Sequence, residues 1–170
     1  MTNSTKDFSS LQESMIADDL GWQVVAGSGA APCVPGDVIA DDWLGECKTH
    51  TSPNHKIFFD FNVWEKIERE AMAKHRAPVL FTDDGSQDLK YTWVLCYYHA
   101  IENAFLLNTD FNFAVRKNVT FVGGAAKTYL DVVQRNNAGG LFTTVVFRHQ
   151  WGKYDIAVMP FNTFKELIKA

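Results

Sequence analysis

Cysteine is scarce in this chain, and its placement rules out pairing schemes. There are 3 cysteines in 170 residues. Cys33, Cys47 and Cys96 lie far apart and form no CxxC pair. Neither a disulfide framework nor a zinc knuckle is therefore expected, and a reducing cytoplasm is the expected compartment. Long apolar runs are also missing: nothing approaches the roughly 20 residues that a membrane span needs. The first residues, Met1 to Phe8, are polar and carry no apolar core of a secretory signal. A basic excess is absent too, since the net charge is −4. Proteins that bind phosphate backbones usually leave a basic footprint. The relevant charge is local, however, and acids gathered around a metal add to the negative count. Lys66, Arg69, Lys74 and Arg76 cluster, as do Arg116 and Lys117, and both groups read as solvated surface. The loop Gly27 to Pro32 is not followed by Gly-Lys-Ser/Thr, which excludes a phosphate-cradling P-loop. His50 and His55 lie in a polar loop with no cysteine neighbours and read as exposed side chains.

What is present describes a folded domain. Apolar residues make up 46% of the chain and aromatics 14%, which excludes disorder. A chain of 170 residues fits one domain with its own core, without disulfides or a structural metal.

Apolar and polar residues then alternate between helical and strand periods. Phe8, Leu11, Met15, Ile16 and Leu20 fall at helical spacing, and Gly21 is a natural stop. Glu13 lies on this helix and has two readings. It is a third acid facing a metal site, or it closes a capping box with Ser10. Trp22 to Ala26 is a short strand. Ile57 to Phe61 reads as a strand. Asn62 then caps a helix from Val63 to about His75, with Glu65 completing a capping box. Trp64, Ile67, Ala71 and Met72 form its buried face. Val79 to Thr82 and Tyr91 to Tyr98 read as strands, Ile101 to Leu107 as a helix and Val119 to Val122 as a strand. Ala125 to Val133 reads as a helix. Leu141 to Arg148 and Tyr154 to Met159 form a hairpin, and Asn162 to Ile168 is a terminal helix.

The stretch Pro35 to Lys48 carries the chemistry. Two apolar runs flank Asp41-Asp42, which predicts a strand, a turn and a second strand. A turn centred there sets Ile39 opposite Leu44 and Asp37 opposite Glu46. Opposed residues share a face, with Cβ atoms about 4.5–5.5 Å apart. Lys48 joins that face because strand side chains alternate. Opposed like charges destabilise a sheet, and a divalent cation between them removes that cost. Mg²⁺ takes hard oxygen ligands and is commonly held by carboxylates.

Pro35-Gly36-Asp37 followed by Glu46-Cys47-Lys48 resembles the signature of the PD-(D/E)xK nuclease superfamily, with a glycine inserted in the first half. The order of elements resembles, more narrowly, the Holliday junction resolvases of archaeal and viral type. A helix with an acid is followed by a strand, a Gly-Ser loop, the Asp…Glu-x-Lys hairpin and a strand–helix–strand ending in Pro78-Val79-Leu80-Phe81. The resemblance covers Phe8 to Thr82. It implies an α/β fold with a restriction-endonuclease-like mixed central sheet flanked by helices. The core would span residues 6–82 and 141–170 of one nuclease domain, with an α/β insertion at 83–140. It implies Mg²⁺, with Mn²⁺ able to substitute, held by Glu13, Asp37, Glu46 and the backbone carbonyl of Cys47. Lys48 would stand near the attacking water, completing a catalytic set with Glu13, Asp37 and Glu46. Ser28 and Lys56 would contact DNA. The implied activity is endonucleolytic cleavage of four-way junctions by a homodimer. The alternatives are a repair or restriction-type nuclease of the same fold, and a non-catalytic α/β binding domain.

Overall fold

Gly21 ends the first helix with a φ of +71°, a conformation that costs glycine nothing and other residues a steric clash. That helix, α1, runs Thr5–Leu20. The computed structural model describes residues 5–26, 35–49, 60–83, 85–107, 120–121, 145–149 and 154–169. Beyond α1 come β1 (Gln23–Val24), β2 (Val38–Ile39), β3 (Trp43–Lys48), α2 (Phe61–Ala73) and β4 (Ala77–Thr82). Then follow β5 (Trp93–Tyr97), α3 (Glu102–Leu107), β6 (Thr120–Phe121), β7 (Val145–His149), β8 (Asp155–Pro160) and a last helix, α4 (Phe161–Lys169). Single 3₁₀ turns, Leu89–Tyr91 and Tyr98–Ala100, bracket β5.

The strands make one mixed sheet in the order β1-β2-β3-β4-β5-β8-β7-β6. β1, β2 and β3 are antiparallel neighbours. β3 and β4 are parallel, and the crossover between them carries α2, as a parallel pair requires. β5 runs antiparallel to both β4 and β8. The expected hairpin near the C-terminus is present as the antiparallel pair β7–β8.

Alternation along the central strands builds a core on each face. Leu44, Leu80, Leu95 and Val158 pack with Trp64, Ile67 and Ala71 of α2. Val38, Val79, Phe81 and Met159 pack on the other face with Ile16 and Ala17 of α1 and with Phe164 and Leu167 of α4. The result is a three-layer α/β arrangement, a mixed sheet flanked by helices. Burying a large side chain such as Phe81 or Phe164 stabilises it by about 1.5–3 kcal/mol. Central strands buried on both faces read as unbroken apolar runs, which is why β4 and β5 were visible in the sequence. Among the described residues, no helix is long and apolar enough to cross a membrane.

Several expectations need correcting. Asn62 does not cap α2. The helix begins at Phe61, and Asp60 is its cap, accepting the Asn62 N–H at 2.9 Å. Phe61 is thus helical; the rest of the strand expected at Ile57 to Phe61 lies outside the described residues, apart from Asp60, which precedes the helix. The Ser10–Glu13 capping box also fails, because α1 starts at Thr5 and both residues sit inside it. Trp93–Tyr97, within the 83–140 stretch, forms β5 between β4 and β8. The helix expected at Ala125 to Val133 lies outside the described residues, as do Cys33, His50 and His55.

Candidate functional site

The site begins with a glycine. Gly36 has a φ of +81°, and a Cβ there would lie 2.8 Å from Leu44 Cδ1 and 3.1 Å from the Gly45 carbonyl oxygen. Only glycine fits, and this accounts for the glycine between Pro35 and Asp37. The Asp37 N–H then donates to the Gly45 carbonyl at 2.8 Å. At the other end of the hairpin, the Ala40 N–H donates to the Trp43 carbonyl at 3.0 Å and closes the Asp41-Asp42 turn. The register pairs Val38 with Gly45 and Ile39 with Leu44. Beyond that register Asp37 faces Gly45 through its N–H and Cys47 through its carboxylate, which sets it beside Glu46.

Asp37 Oδ2 accepts the Cys47 backbone N–H at 2.8 Å. The N–H and C=O of one strand residue point to the same edge. The Cys47 carbonyl is therefore turned to the edge where the Asp37 carboxylate lies. Glu46 lies on the α2 face of the sheet with its side chain 6% exposed. Leaving such a carboxylate uncompensated costs several kcal/mol, on the order of the effective burial penalty of an ion. Two ammonium groups prevent this. Lys48 Nζ lies 2.6 Å from Glu46 Oε1, and Lys66 Nζ, from α2, lies 3.4 Å from Glu46 Oε2.

Glu13 approaches from α1, the helix on the opposite face. Ser9 Oγ donates to its Oε1 at 3.0 Å. Its charge acts on both Asp37 and Cys47. The end of β3 is fixed from the same side: Gln12 Nε2 donates to the Lys48 carbonyl at 3.0 Å. The Asp83 N–H donates to the same carbonyl at 3.1 Å, which ties β3 to the end of β4. Asp83 in turn accepts from Thr49 Oγ1 at 2.5 Å and from the Gly85 N–H at 2.8 Å.

The electrostatics follow from this packing. Burial, then the charges of Glu46 and Glu13, lift Asp37 from its ordinary 3.8 to about 6, against the lowering effect of the Cys47 N–H. Burial also pulls the Lys48 ammonium down, but the Glu46 hydrogen bond and the charges of Glu46 and Asp37 outweigh it and raise its pKa. The Cys47 thiol is pushed well up by burial, and further by Asp37, Glu13 and Glu46. It stays protonated and is no nucleophile.

The hairpin therefore brings Asp37, Glu46 and Lys48 together and aligns the Cys47 carbonyl with them. Glu13 reaches Asp37 through its charge. Ser28 and Lys56 lie outside the described residues. Among the described residues, no three His, Cys, Asp or Glu side chains form a group able to hold a metal ion. The donors that do converge are two carboxylates and a main-chain carbonyl. These are hard oxygens suited to Mg²⁺ or Mn²⁺. The rise at Asp37 comes first from burial and then from the charges of Glu46 and Glu13, and a cation beside it would favour its anion. On this chemistry the residues fit a divalent ion. Sequence reasoning placed Lys66 on solvated surface and did not single out Gln12. The signal for Lys66 was its place beside buried Ile67, on the helix that crosses over the Glu46 face.

Comparison of the chain with protein-family models, curated proteins and solved structures finds no match.

Proposed function

We propose that the chain is a divalent-metal-dependent endodeoxyribonuclease of the PD-(D/E)xK type, with four-way DNA junctions as its preferred substrate. One observation carries this reading: the Asp37 carboxylate is bonded to the Cys47 N–H, next to Glu46 in β3, with Lys48 on Glu46. The order α1, β1, β2, β3, α2, β4 supports it, because apart from a strand at Ile57 to Phe61 it follows the order on which the resemblance rests. The restriction-endonuclease-like description of the sheet belongs to this proposal.

Asp37, Glu46 and the Cys47 carbonyl would hold the ion. When bound, Mg²⁺, or Mn²⁺ in its place, supplies Lewis-acid relief of phosphate charge and an activated water. Asp37 has to be ionised to serve, and the Cys47 N–H both orients it and favours its anion. Lys48 presents a compact ammonium that orients the water and offsets phosphate charge. Glu13 adds negative potential from the other face. Two nearly symmetric cuts in a junction call for two copies related by a two-fold axis, hence a homodimer. Selectivity then rests on the shape of bent, branched DNA. Such an enzyme would work in the cytoplasm.

A second reading draws on the absence, among the described residues, of a three-ligand group. In it the chain is a non-catalytic α/β binding domain, and Lys48 and Lys66 only neutralise a buried Glu46. A competition assay separates the readings. Labelled four-way junction is incubated with the protein in Mg²⁺ or EDTA, against excess linear duplex or flapped DNA. Junction cleavage that needs Mg²⁺ and resists linear competitor supports the proposal. Cleavage competed equally by linear duplex moves the substrate to other DNA. No cleavage in Mg²⁺ or Mn²⁺ leaves the binding domain.

A further inference from the structure

Lys66 is a second lysine at a carboxylate that Lys48 already neutralises. Its Nζ lies 3.5 Å and 3.4 Å from the two Glu46 oxygens, whereas Lys48 holds one of them at 2.6 Å. A single negative charge thus faces two positive ones, and Lys66 is the looser partner. The burial is unequal as well. The Glu46 side chain is 6% exposed, while Lys66 is 49% and Lys48 47% exposed. The carboxylate forms the floor, and the two ammonium groups face the solvent from which a substrate arrives. Lys66 stands on α2, a helix seated on the sheet through Trp64, Ile67 and Ala71, so its position is fixed by the core.

We propose that Lys66 is a phosphate-binding residue of this site, parked on Glu46 and released to the DNA backbone when a divalent cation takes that carboxylate. The proposal rests on the nuclease reading and adds an exchange of partners to it. Charge matching supports the exchange. Glu13, Asp37 and Glu46 against Lys48 and Lys66 leave one net negative charge, which repels DNA. A divalent cation reverses it to one net positive charge, the complement of one phosphodiester. A compact ammonium binds phosphate as a point charge and needs no fixed fork geometry. A long, half-exposed ion pair such as Lys66–Glu46 is weak and easily exchanged. Cation and DNA would therefore each strengthen the binding of the other, as linkage requires.

The test uses Lys66→Met, with Lys66→Arg to restore the charge, in the full chain. Binding of a DNA four-way junction is measured against salt, in Ca²⁺ and in EDTA. Mn²⁺ uptake by the free protein is measured by electron paramagnetic resonance. In Ca²⁺, losing one phosphate contact should flatten the slope of log affinity against log salt by about 0.9. In EDTA the slope should not change, because Lys66 is then held by Glu46. Lys66→Arg should restore the slope. Free Lys66→Met should bind Mn²⁺ more tightly than wild type, since a competing cation has gone. An unchanged slope in Ca²⁺ overturns the proposal and leaves the nuclease reading intact. Equal flattening with and without Ca²⁺ overturns the exchange. A wild-type chain that takes up no Mn²⁺ sinks the nuclease reading and this proposal together.

Discussion

Asp37 accepts the backbone N–H of Cys47 at 2.8 Å, so the acid on one strand of the hairpin is fastened to the strand that carries Glu46. This bond holds the Asp37 carboxylate on the backbone next to Glu46. It also makes Asp37 the most informative titrating group in the site.

Asp37 should make stability depend on pH. Its pKa is about 6 in the folded chain, against an ordinary 3.8. The folded state thus holds the proton more tightly than the unfolded state. Stability is unpenalised below about pH 4, falls as pH rises towards about 6, and stays reduced above that. The loss should amount to about 1–2 kcal/mol once solvent screening at this half-buried carboxyl is allowed for. Asp37→Asn should remove it. Urea midpoints at pH 4 and pH 7 check this: wild type should lose stability over the interval from this group, and the variant should not. A variant with the same pH dependence as wild type would show that Asp37 titrates normally.

Glu13 should act through Asp37. It takes a hydrogen bond from Ser9 inside α1 and helps to raise the Asp37 pKa. Glu13→Gln should therefore lower the Asp37 pKa and shift the acid limb of the cleavage profile to lower pH. If its charge also helps to hold the ion, cleavage at limiting Mg²⁺ should drop by roughly ten- to a hundred-fold, or about 1.4–2.7 kcal/mol, and recover as Mg²⁺ is raised. A profile and Mg²⁺ titration identical to wild type would remove Glu13 from the site.

Gly45 should tolerate no side chain. A Cβ there would meet Val38 Cγ2 at 2.6 Å, Phe81 Cε2 at 3.0 Å and Val79 Cγ1 at 3.2 Å. These neighbours are fully buried core residues. Gly45→Ala must push β2 away from β3 or disturb Phe81, at a cost of about 1–3 kcal/mol. Because Asp37 and Glu46 flank this contact, cleavage should fall further than stability alone explains. Thermal melts beside cleavage rates at a temperature where the variant stays folded would show it. Full activity in a folded Gly45→Ala protein would mean that the spacing of the strands does not govern the site.

The hairpin register was legible because it is local. Two apolar runs on either side of Asp41-Asp42 permit one pairing that sends Val38 to one core and Leu44 to the other, and a slip by one residue would exchange the faces. The contact of Lys48 with Glu46 was legible from alternation along a single strand. What the sequence hid depends on longer range. Asp60 and Asn62 are both good helix caps, and their spacing alone does not choose between them. Ser10 and Glu13 match a capping box, but the helix had already begun at Thr5. Lys66 became a neighbour of Glu46 only through the parallel pairing of β3 and β4, which lays α2 over that face. The position of β5 between β4 and β8 joins residues far apart in the chain, so residues 93–97 read as part of an insertion.

The central claim is that Asp37 and Glu46 form one phosphodiester-cleaving metal site, and single-turnover cleavage of a four-way junction in Mg²⁺ tests it most directly. Wild type is compared with Asp37→Asn and Glu46→Gln, each confirmed as folded by its melting curve. Each change removes a charged oxygen donor with little change in volume. Both variants should lose at least about a hundred-fold in rate, or about 2.7 kcal/mol, while the fold persists. Wild-type rates from both folded variants would contradict the account.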